Sequence, residues 1–591
     1  MTRSVGKLGA IVKRGGVEFR VWAPLAKHVA VAVPYISYDT SNQIAMERDN
    51  KGYWSVMVPR AEIGQQYKYI ITTNHDEIIE RNDPYARALT NSDAGASIIT
   101  GSDFDWGDDI FMPIPKNEHI IYEMHVGTFH RRDASSPGTF YDAIEKLDYV
   151  QSLGVNMIEL MPVTSMCEGN GWGYNVNHIF AVEQTYGGRH GLMSFVRACH
   201  ERGIGVIADV VYNHFCNAET WAFDGTTPDL PGGQYFSGDE RNQTPWGARP
   251  DYTRKEVRQF ILDSVAMWFM EYRLDGLRLD STSYLRNLDG GDALNRDVDG
   301  AWSLLQDITS LAHRLRPGSV LIAEDTGSND FITLPRDNGG AGFDAQWRLM
   351  FPEALYQALG IAPRYPVDIK DELTQRYTDD AFTRIVFSDS HDTAANGRAR
   401  LNEIIAPRHA DSLKAKRELL LASTVTLTSP GIPMLLQGQE FIQDGAFNNW
   451  QDLDWENVSR YEGIVNAHRD IIALRKNDHG ISRGLTGNSV SLFHINDADR
   501  ILAYHRWHRG GPSDDVIVII NFGSRSFPEY KLSVPVPGQW QVRFNSSWRG
   551  YDEAFSNTLF DTAMTSGDTK TISISLAAYS ALILSQNNPE E

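Results

Sequence analysis

The sequence predicts a multidomain protein with a central (β/α)8 TIM barrel, flanked by an N-terminal β-sandwich and a C-terminal all-β sandwich. Short alternating strands fill both ends of the chain, and eight strands interleaved with amphipathic stretches fill its middle. No G-x-G-x-x-G motif follows the first central strand, which disfavours an open dinucleotide-binding sheet. We therefore expect domains at residues 1–105, 106–480 and 481–591.

The two terminal domains contain short apolar runs bounded by Gly, Pro, Asn or Asp. Such runs at regular spacing, without a helical period, are typical of β-sandwiches. In the N-terminal domain the predicted strands lie at 15–24, 28–36, 52–59 and 65–72. In the C-terminal domain they lie at 489–495, 500–507, 515–522, 539–548 and 570–585.

The central region alternates short apolar runs with helical stretches such as 140–154, 191–203 and 257–272. Each helical stretch ends at a Gly or at a polar break, as helix C-termini do. The longest irregular insertion, near 213–253, follows the third strand, and a loop of that length in a compact domain is usually functional. The eight predicted barrel strands lie at 120–126, 157–163, 205–212, 274–280, 321–325, 342–347, 384–392 and 433–440.

Composition excludes several classes of partner. The chain has 55 Lys and Arg against 76 Asp and Glu, a net charge of −21, which disfavours nucleic acid and anionic membrane surfaces. Its three cysteines are an odd number, so we expect no disulfide framework and a reducing cytoplasm as the location. They include no C-x-x-C pair, which disfavours zinc and dithiol redox sites. No apolar run approaches the ~20 residues of a membrane span. We expect a monomer or a small homo-oligomer.

Polar side chains close four of the predicted barrel strands. Because TIM-barrel enzymes carry their catalytic groups at the C-terminal strand ends, these residues are the site candidates. They are Asp209 and His214 at the end of the third strand, Arg278 and Asp280 at the fourth, Glu324 at the fifth, and His391 and Asp392 at the seventh.

Arg278 and Asp280 are two residues apart on a strand and therefore point to the same face. A guanidinium beside a carboxylate keeps that carboxylate ionised, as a nucleophile requires. Glu324 emerges from an apolar strand, a setting that favours a proton-holding general acid. Two carboxylates with opposed environments suit glycoside cleavage, with retention of configuration if they lie about 5–5.5 Å apart.

Each of these residues also has a structural interpretation. A single strand-end Asp or Glu is commonly a helix N-cap, an Arg–Asp pair can be purely structural, and histidines can be buried core residues. The same residue types include metal ligands, but no H-x-H or H-E-x-x-H pair accompanies them. Their coincidence on four strands favours a catalytic site, and we expect neither a catalytic metal nor a cofactor.

The strand-end motifs Asp209-Val-Val-Tyr-Asn-His214, Asp275-Gly-Leu-Arg-Leu-Asp280, Ala323-Glu-Asp325 and Ser390-His-Asp392 resemble the four signatures of the α-amylase superfamily, glycoside hydrolase family 13. The resemblance implies a retaining mechanism with Asp280 as nucleophile, Glu324 as general acid/base and Asp392 as a third carboxylate that stabilises the transition state. The residues it implies for substrate binding are Tyr174, Trp172, Asp209, His214, Arg278 and His391.

The flanking domains extend the resemblance. Residues 16–24 look like a family-48 carbohydrate-binding module, and the C-terminal sandwich resembles the all-β domain of the superfamily. Residues 82–86, 121–129 and Ser390 are similar to branching enzymes, whereas 244–247 and 343–347 are similar to trehalohydrolases. The implied substrates are α-glucans: glycogen, amylose or maltooligosaccharides. The implied activity is α-1,4-glucan branching, with a retaining hydrolase or a non-catalytic glucan-binding protein as alternatives.

Overall fold

The computed structural model describes residues 8–33, 43–91, 95–102, 104–109, 111–133, 135–167, 171–216, 220–327, 329–556 and 570–587, and the backbone of 563–565. The chain forms two compact units. The first comprises Met1–Pro113, His125–Leu147 and Glu159–Phe343. The second comprises Ile114–Met124, Asp148–Ile158 and Asp344–Glu591. No helix of the described residues is long and apolar enough to cross a membrane.

Two antiparallel sheets form the N-terminal region, in the orders β1-β2-β6-β5 and β4-β3-β7-β8, with β9 paired to β7. In β2, Phe19 and Val21 are buried while Arg20 between them is half-buried, the alternation of a strand with one face in a core. The predicted strands at 15–24, 52–59 and 65–72 are confirmed, and the one at 28–36 is confirmed over His28–Ala32, since residues 34–36 lie outside the described residues. The strands are β1 (Gly9–Lys13), β2 (Gly16–Trp22), β3 (His28–Ala32), β4 (Ile44–Ala45), β5 (Glu47–Arg48), β6 (Tyr53–Pro59), β7 (Gln66–Thr72), β8 (Ile78–Arg81) and β9 (Ser97–Ile98).

Eight parallel strands close into a barrel in sequence order, which confirms the predicted fold class. Every residue of these strands is buried, as expected for parallel strands covered on both faces. They are β10 (Ile121–Met124), β11 (Met157–Leu160), β14 (Gly205–Val210), β15 (Gly276–Leu279), β16 (Val320–Ala323), β17 (Ala345–Trp347), β18 (Arg384–Val386) and β19 (Ile432–Leu436). A small hairpin, β12 (Thr164–Met166) with β13 (Val176–Val182), follows β11.

The barrel strands are shorter than the apolar runs that predict them. The fourth run, 274–280, contains only β15 as strand, because Asp280 and Ser281 form the turn before the helix that begins at Thr282. The seventh run, 384–392, contains only the three residues of β18. The apolar runs therefore extend beyond the paired strand residues, into the segments that carry the polar site candidates.

Amphipathic helices alternate with the barrel strands. A capping box fixes the start of α2: the Thr139 hydroxyl accepts from the Asp142 N–H, and the Asp142 carboxylate accepts from the Thr139 N–H. The helices are α1 (Val126–Phe129), α2 (Phe140–Ile144), α3 (Leu147–Leu153), α4 (Gly188–His200), α5 (Lys255–Met270), α6 (Thr282–Arg286), α7 (Ala301–Leu315), α8 (Met350–Leu359), α9 (Ile369–Thr374), α10 (Leu401–Ile405), α11 (Leu413–Thr428), α12 (Asn457–Arg460) and α13 (Glu462–Lys476).

The C-terminal region is a second antiparallel structure, with sheets in the orders β20-β21-β22-β27-β24-β25 and β23-β26. Trp540 and Ile517 of the large sheet share one buried apolar cluster with Leu532 and Ile574 of the small one. All five predicted runs contain strands. The strands are β20 (Ser489–Asn496), β21 (Ile501–Trp507), β22 (Val516–Asn521), β23 (Phe527–Ser533), β24 (Gln539–Asn545), β25 (Ala563–Thr565), β26 (Thr571–Leu576) and β27 (Ser580–Ser585).

Candidate active site

Arg278 is the centre of a buried group of polar side chains at the end of β15. Its Nη1 donates to Asp209 Oδ2 over 2.6 Å and to Asp280 Oδ1 over 3.2 Å, and its Nη2 donates to Glu324 Oε2 over 2.8 Å. The guanidinium is completely buried. We call these four residues, with Tyr174, the Arg278 cluster.

Parallel strand pairing brings the members of this cluster together. Asp209 lies opposite Arg278 in the register of β14 and β15. Beyond the named strands the ladder continues, since the Asp280 N–H donates to Val210 O over 3.0 Å and the Glu324 N–H donates to Leu279 O over 3.0 Å. Three neighbouring strands thus present their carboxylates at the same end, as the sequence predicts.

A strained residue follows the candidate nucleophile. Ser281 has φ 38° and ψ 57°, a left-handed conformation that costs a non-glycine residue energy. In this conformation the Ser281 N–H donates to Glu324 Oε2 over 3.0 Å. Glu324 therefore does not have the purely apolar surroundings that its strand predicts, because the same oxygen accepts from Arg278 as well.

Burial and charge set the protonation of the cluster. Burial alone would lower the pKa of Arg278, but Asp209, Tyr174, Glu324 and Asp280 together raise it well above its usual value. Burial raises the pKa of Asp209 to about 6, although the Arg278 guanidinium opposes the shift. Arg278 is thus a permanent cation, whereas Asp209 changes charge within the working range of an enzyme.

Tyr174 completes the cluster. Its hydroxyl donates to Asp209 Oδ2 over 2.7 Å, and its ring lies 5.9 Å from the Arg278 guanidinium carbon. Trp172, two residues earlier in the same loop, is half-buried. Asp209 therefore supports Arg278 and Tyr174 at once.

His214 joins the cluster through Asn213. The Asn213 amide donates to Asp280 Oδ2 over 2.6 Å and to Asp280 O over 2.8 Å, while Asn213 Oδ1 pairs with His214 Nδ1. Burial lowers the pKa of His214, so its ring is neutral at pH 7. The indole of Trp246 lies 5.6 Å from this ring and 4.9 Å from that of Tyr284, and Trp246 is 49% exposed.

The second compact unit holds the other two candidates. His391 Nδ1 lies 2.5 Å from Glu123 Oε1, and the His391 N–H donates to Glu123 Oε2 over 2.9 Å. Both side chains are almost fully buried. Asp392 Oδ2 lies 3.5 Å from His391 Nε2, and its side chain is 41% exposed. We call His391 and Glu123 the Glu123–His391 pair.

Sequence reasoning did not assign three of these residues to the catalytic site, although Asn213 resembles a calcium ligand of the family. Glu123 is an acidic residue inside an apolar strand, and a buried carboxylate needs a partner, so its position alone carried a signal. Asn213 lies inside a motif already singled out. Trp246 lies in the long insertion, and sequence cannot show which aromatic residue of a loop approaches the site. Among the described residues, no group of three or more His, Cys, Asp or Glu side chains is arranged to hold a metal ion.

The prediction about cysteines is wrong. Cys167 and Cys216 form a disulfide, with their Cα atoms 6.5 Å apart, and Cys199 is free and buried. An odd number of cysteines leaves one unpaired but does not prevent the others from pairing, because pairing depends on distance in the fold. The Cys167 N–H donates to Asn175 O and the Cys216 N–H donates to Val176 O. The disulfide therefore lies beside the residues where β13 begins.

Comparison with known proteins identifies the family. Residues 124–251 match the alpha amylase catalytic domain, 7–86 match carbohydrate-binding module 48 (isoamylase N-terminal domain), and 494–587 match the alpha amylase C-terminal all-beta domain. The 1,4-alpha-glucan branching enzyme GlgB of Corynebacterium jeikeium is 30% identical over 93% of this chain and 78% of its own length. The chain belongs to glycoside hydrolase family 13, the α-amylase family.

A second named relative and a solved structure are also similar to this chain. The 1,4-alpha-glucan branching enzyme GlgB of Geobacillus stearothermophilus is 27% identical over 91% of this chain and 85% of its own. A pullulanase from Anoxybacillus sp. LM18-11, crystallised with maltotriose, superposes with a TM-score of 0.77 at 21% identity, covering 98% of this chain and 85% of that one. That likeness establishes the shared fold. The protein is an α-glucan-active enzyme of family 13.

Proposed function

We propose that the protein is a 1,4-α-glucan branching enzyme, which cleaves an α-1,4 bond and transfers the released chain to a 6-hydroxyl. The observation that carries the proposal is similarity to proteins named branching enzymes over 93% of this chain. Residues 82–86 and 121–129 are also of the branching type. The substrates that we propose are glycogen, amylose and maltooligosaccharides.

Asp280 is the proposed nucleophile and Glu324 the proposed acid/base. A carboxylate oxygen of Asp280 bonds to the anomeric carbon while Glu324 gives its proton to the departing glycosidic oxygen, whose bond to that carbon breaks. Glu324 then takes the proton of the acceptor 6-hydroxyl. The acceptor oxygen bonds to the anomeric carbon and the bond to Asp280 breaks, so configuration is retained.

The Arg278 cluster supports these roles. Because Asp280 and Glu324 bond to the same guanidinium, their carboxyl groups lie close together, as a retaining pair requires. The Asn213 amide and Arg278 bind opposite oxygens of Asp280, which fixes the orientation of the carboxylate. Fixing a nucleophile in this way lowers the entropic part of the barrier.

The remaining assignments belong to the same proposal. Asp392 is the third carboxylate, and its exposed side chain suits contact with substrate hydroxyls. Tyr174, Trp172, His214 and His391 bind and orient the sugar. We propose functional domains at 1–105, 106–480 and 481–591. A cytoplasmic location stays a prediction, and the Cys167–Cys216 disulfide makes it worth testing, because disulfides are rare there.

A retaining hydrolase is the second candidate. Residues 244–247 are similar to those of trehalohydrolases, and within them Trp246 lies beside His214 with half of its surface exposed. An aromatic residue in that position would affect whether water or a sugar hydroxyl reaches the covalent glycosyl–Asp280 intermediate. With water in place of the 6-hydroxyl, the same first step ends in hydrolysis.

The deciding experiment follows two quantities together in purified enzyme incubated with amylose: iodine absorbance and reducing ends. A branching enzyme lowers the iodine absorbance without adding reducing ends, and a debranching enzyme then releases short chains from the product. The Asp280→Ala variant is the control, since we expect it to bind glucan without turnover. Reducing ends that rise in step with the loss of colour would overturn the proposal in favour of the hydrolase.

A further inference from the structure

A cavity of about 290 Å³ lies in the first compact unit, between the segments that follow β15 and β16. Its wall includes Arg286, Asp292, Leu294, Trp302, Asn329 and Phe331. These segments continue from the strands that carry Asp280 and Glu324. The cavity therefore lies on the catalytic side of the barrel, where TIM-barrel enzymes build their substrate sites. None of the residues named here belongs to the Arg278 cluster.

Large apolar side chains are exposed in this cavity. Leu294 is 84% exposed and Phe331 is 52% exposed, although most residues of their type are buried in folded proteins. The indole N–H of Trp302 donates to Gly339 O over 3.1 Å, which fixes the ring in the wall. Exposed apolar groups gathered in a concave surface are characteristic of ligand sites.

A rigid polar wall faces the same space. Asp292 Oδ1 accepts from Arg286 Nη2 over 2.6 Å and from Asn329 Nδ2 over 3.4 Å, and the Asp292 side chain is 46% exposed. Arg286 in turn holds both oxygens of Asp325, over 2.8 Å each. Asp325 directly follows Glu324 in the chain, so the wall is anchored to the backbone of the proposed acid/base.

We propose that this cavity binds a short segment of an α-glucan chain outside the catalytic centre. A sugar ring has apolar C–H faces and a rim of hydroxyls, and the cavity offers apolar groups for the faces and a carboxylate and an amide for the hydroxyls. The inference deepens the proposed function, on which it rests. It assigns part of the recognition of long chains to Phe331, Leu294 and the Asp292 carboxylate.

Binding to a non-cleaving protein tests the cavity separately from catalysis. In the full-length Asp280→Ala background, we expect Phe331→Ala combined with Leu294→Ala to weaken amylose binding about tenfold. In the otherwise unchanged enzyme, the same pair should raise KM for amylose with kcat nearly unchanged. The matched control is Tyr141→Ala on α2, which removes an aromatic side chain that is 46% exposed and lies outside the cavity.

The outcomes separate the two proposals. Wild-type amylose affinity in the Phe331→Ala, Leu294→Ala protein, with an unchanged melting temperature, would overturn the cavity assignment whatever the reaction. An equal loss in Tyr141→Ala would overturn it as well, because the effect would not be specific to the cavity. A tenfold loss confined to the cavity variant supports it, even if the amylose assay shows that water is the acceptor.

Discussion

The Arg278 cluster and the Glu123–His391 pair solve the same problem, a charged group buried in a barrel, in different ways. Arg278 is a cation that no protein environment deprotonates, and three carboxylates surround it. His391 pairs with the buried carboxylate of Glu123, and histidine is the side chain that most readily changes charge near neutral pH. The first arrangement tolerates the loss of one partner better than the second.

The largest expected effect is the loss of the cleaving carboxylates. Asp280→Ala should lower kcat about 10⁴-fold or more, since it removes the covalent step. Glu324→Gln should lower it about 10²- to 10⁴-fold, the usual contribution of an acid/base group. Both variants should stay folded, because each leaves Arg278 with two carboxylates. Initial rates on amylose and thermal melting measure the two properties.

Glu324→Asp is the matched control for the acid/base, because it keeps the carboxyl group and moves it. It should retain more activity than Glu324→Gln at every pH. Turnover close to wild type in Asp280→Ala or Glu324→Gln would refute the assignment of the site. Unfolding of Asp280→Ala would instead show that the cluster depends on all three carboxylates.

The Glu123–His391 pair should give an intermediate effect. Glu123→Gln keeps the size of the side chain but removes the charge opposite His391, at a cost of about 2 kcal/mol for a buried charged hydrogen bond. If His391 touches substrate, as we propose, kcat/KM should fall about 30-fold through the orientation of its ring. Steady-state kinetics on amylose measures this effect.

Glu123→Asp should restore part of the activity, which a purely structural role would not require. A drop in melting temperature with unchanged kcat/KM would show that Glu123 only holds the fold. If Glu123→Gln lowered activity as much as Asp280→Ala does, the contrast between the Arg278 cluster and the Glu123–His391 pair would disappear. Glu123 would then matter as much as the proposed nucleophile.

Most of the fold and half of the candidate site follow from local pattern. The eight barrel strands were predictable because each is a short apolar run between amphipathic stretches. Asp209, Arg278, Asp280 and Glu324 were predictable because parallel strands bring their ends together, so position in a motif determines position in space. The pairing of Asp209 with Arg278 in the register of β14 and β15 confirms this reasoning directly.

The contacts that the sequence did not predict join residues that are close in the fold but far apart along the chain. Cys167 and Cys216 are 49 residues apart, and Glu123 and His391 are 268 apart, so no spacing rule links either pair. The surroundings of Glu324 were mispredicted for a related reason. The strand before it is apolar, but its own oxygen receives the Ser281 N–H, which the left-handed turn after Asp280 directs toward it.

The smallest expected effect is a pH dependence. It sharpens the contrast between Arg278, whose charge is permanent, and Asp209, whose charge depends on pH. Because burial raises the pKa of Asp209 to about 6 from its usual 3.8, the folded protein binds more protons than the unfolded chain between these values. This residue's contribution to the free energy of unfolding therefore falls as pH rises from about 4 to 6. Activity should change in the opposite direction, because only the ionised carboxylate balances Arg278 and accepts from Tyr174.

We therefore expect kcat/KM to show an acid limb, a fall as the pH drops below about 6. The Asp209→Asn variant should lack this acid limb, and its kcat/KM should be lower overall. The variant should also lose the decline in stability across pH 4–6, since the amide does not titrate. Denaturant unfolding and amylose kinetics at matched pH values measure both. An unchanged acid limb in Asp209→Asn would assign the limb to another group, and the Glu123–His391 pair would then be the next region to test.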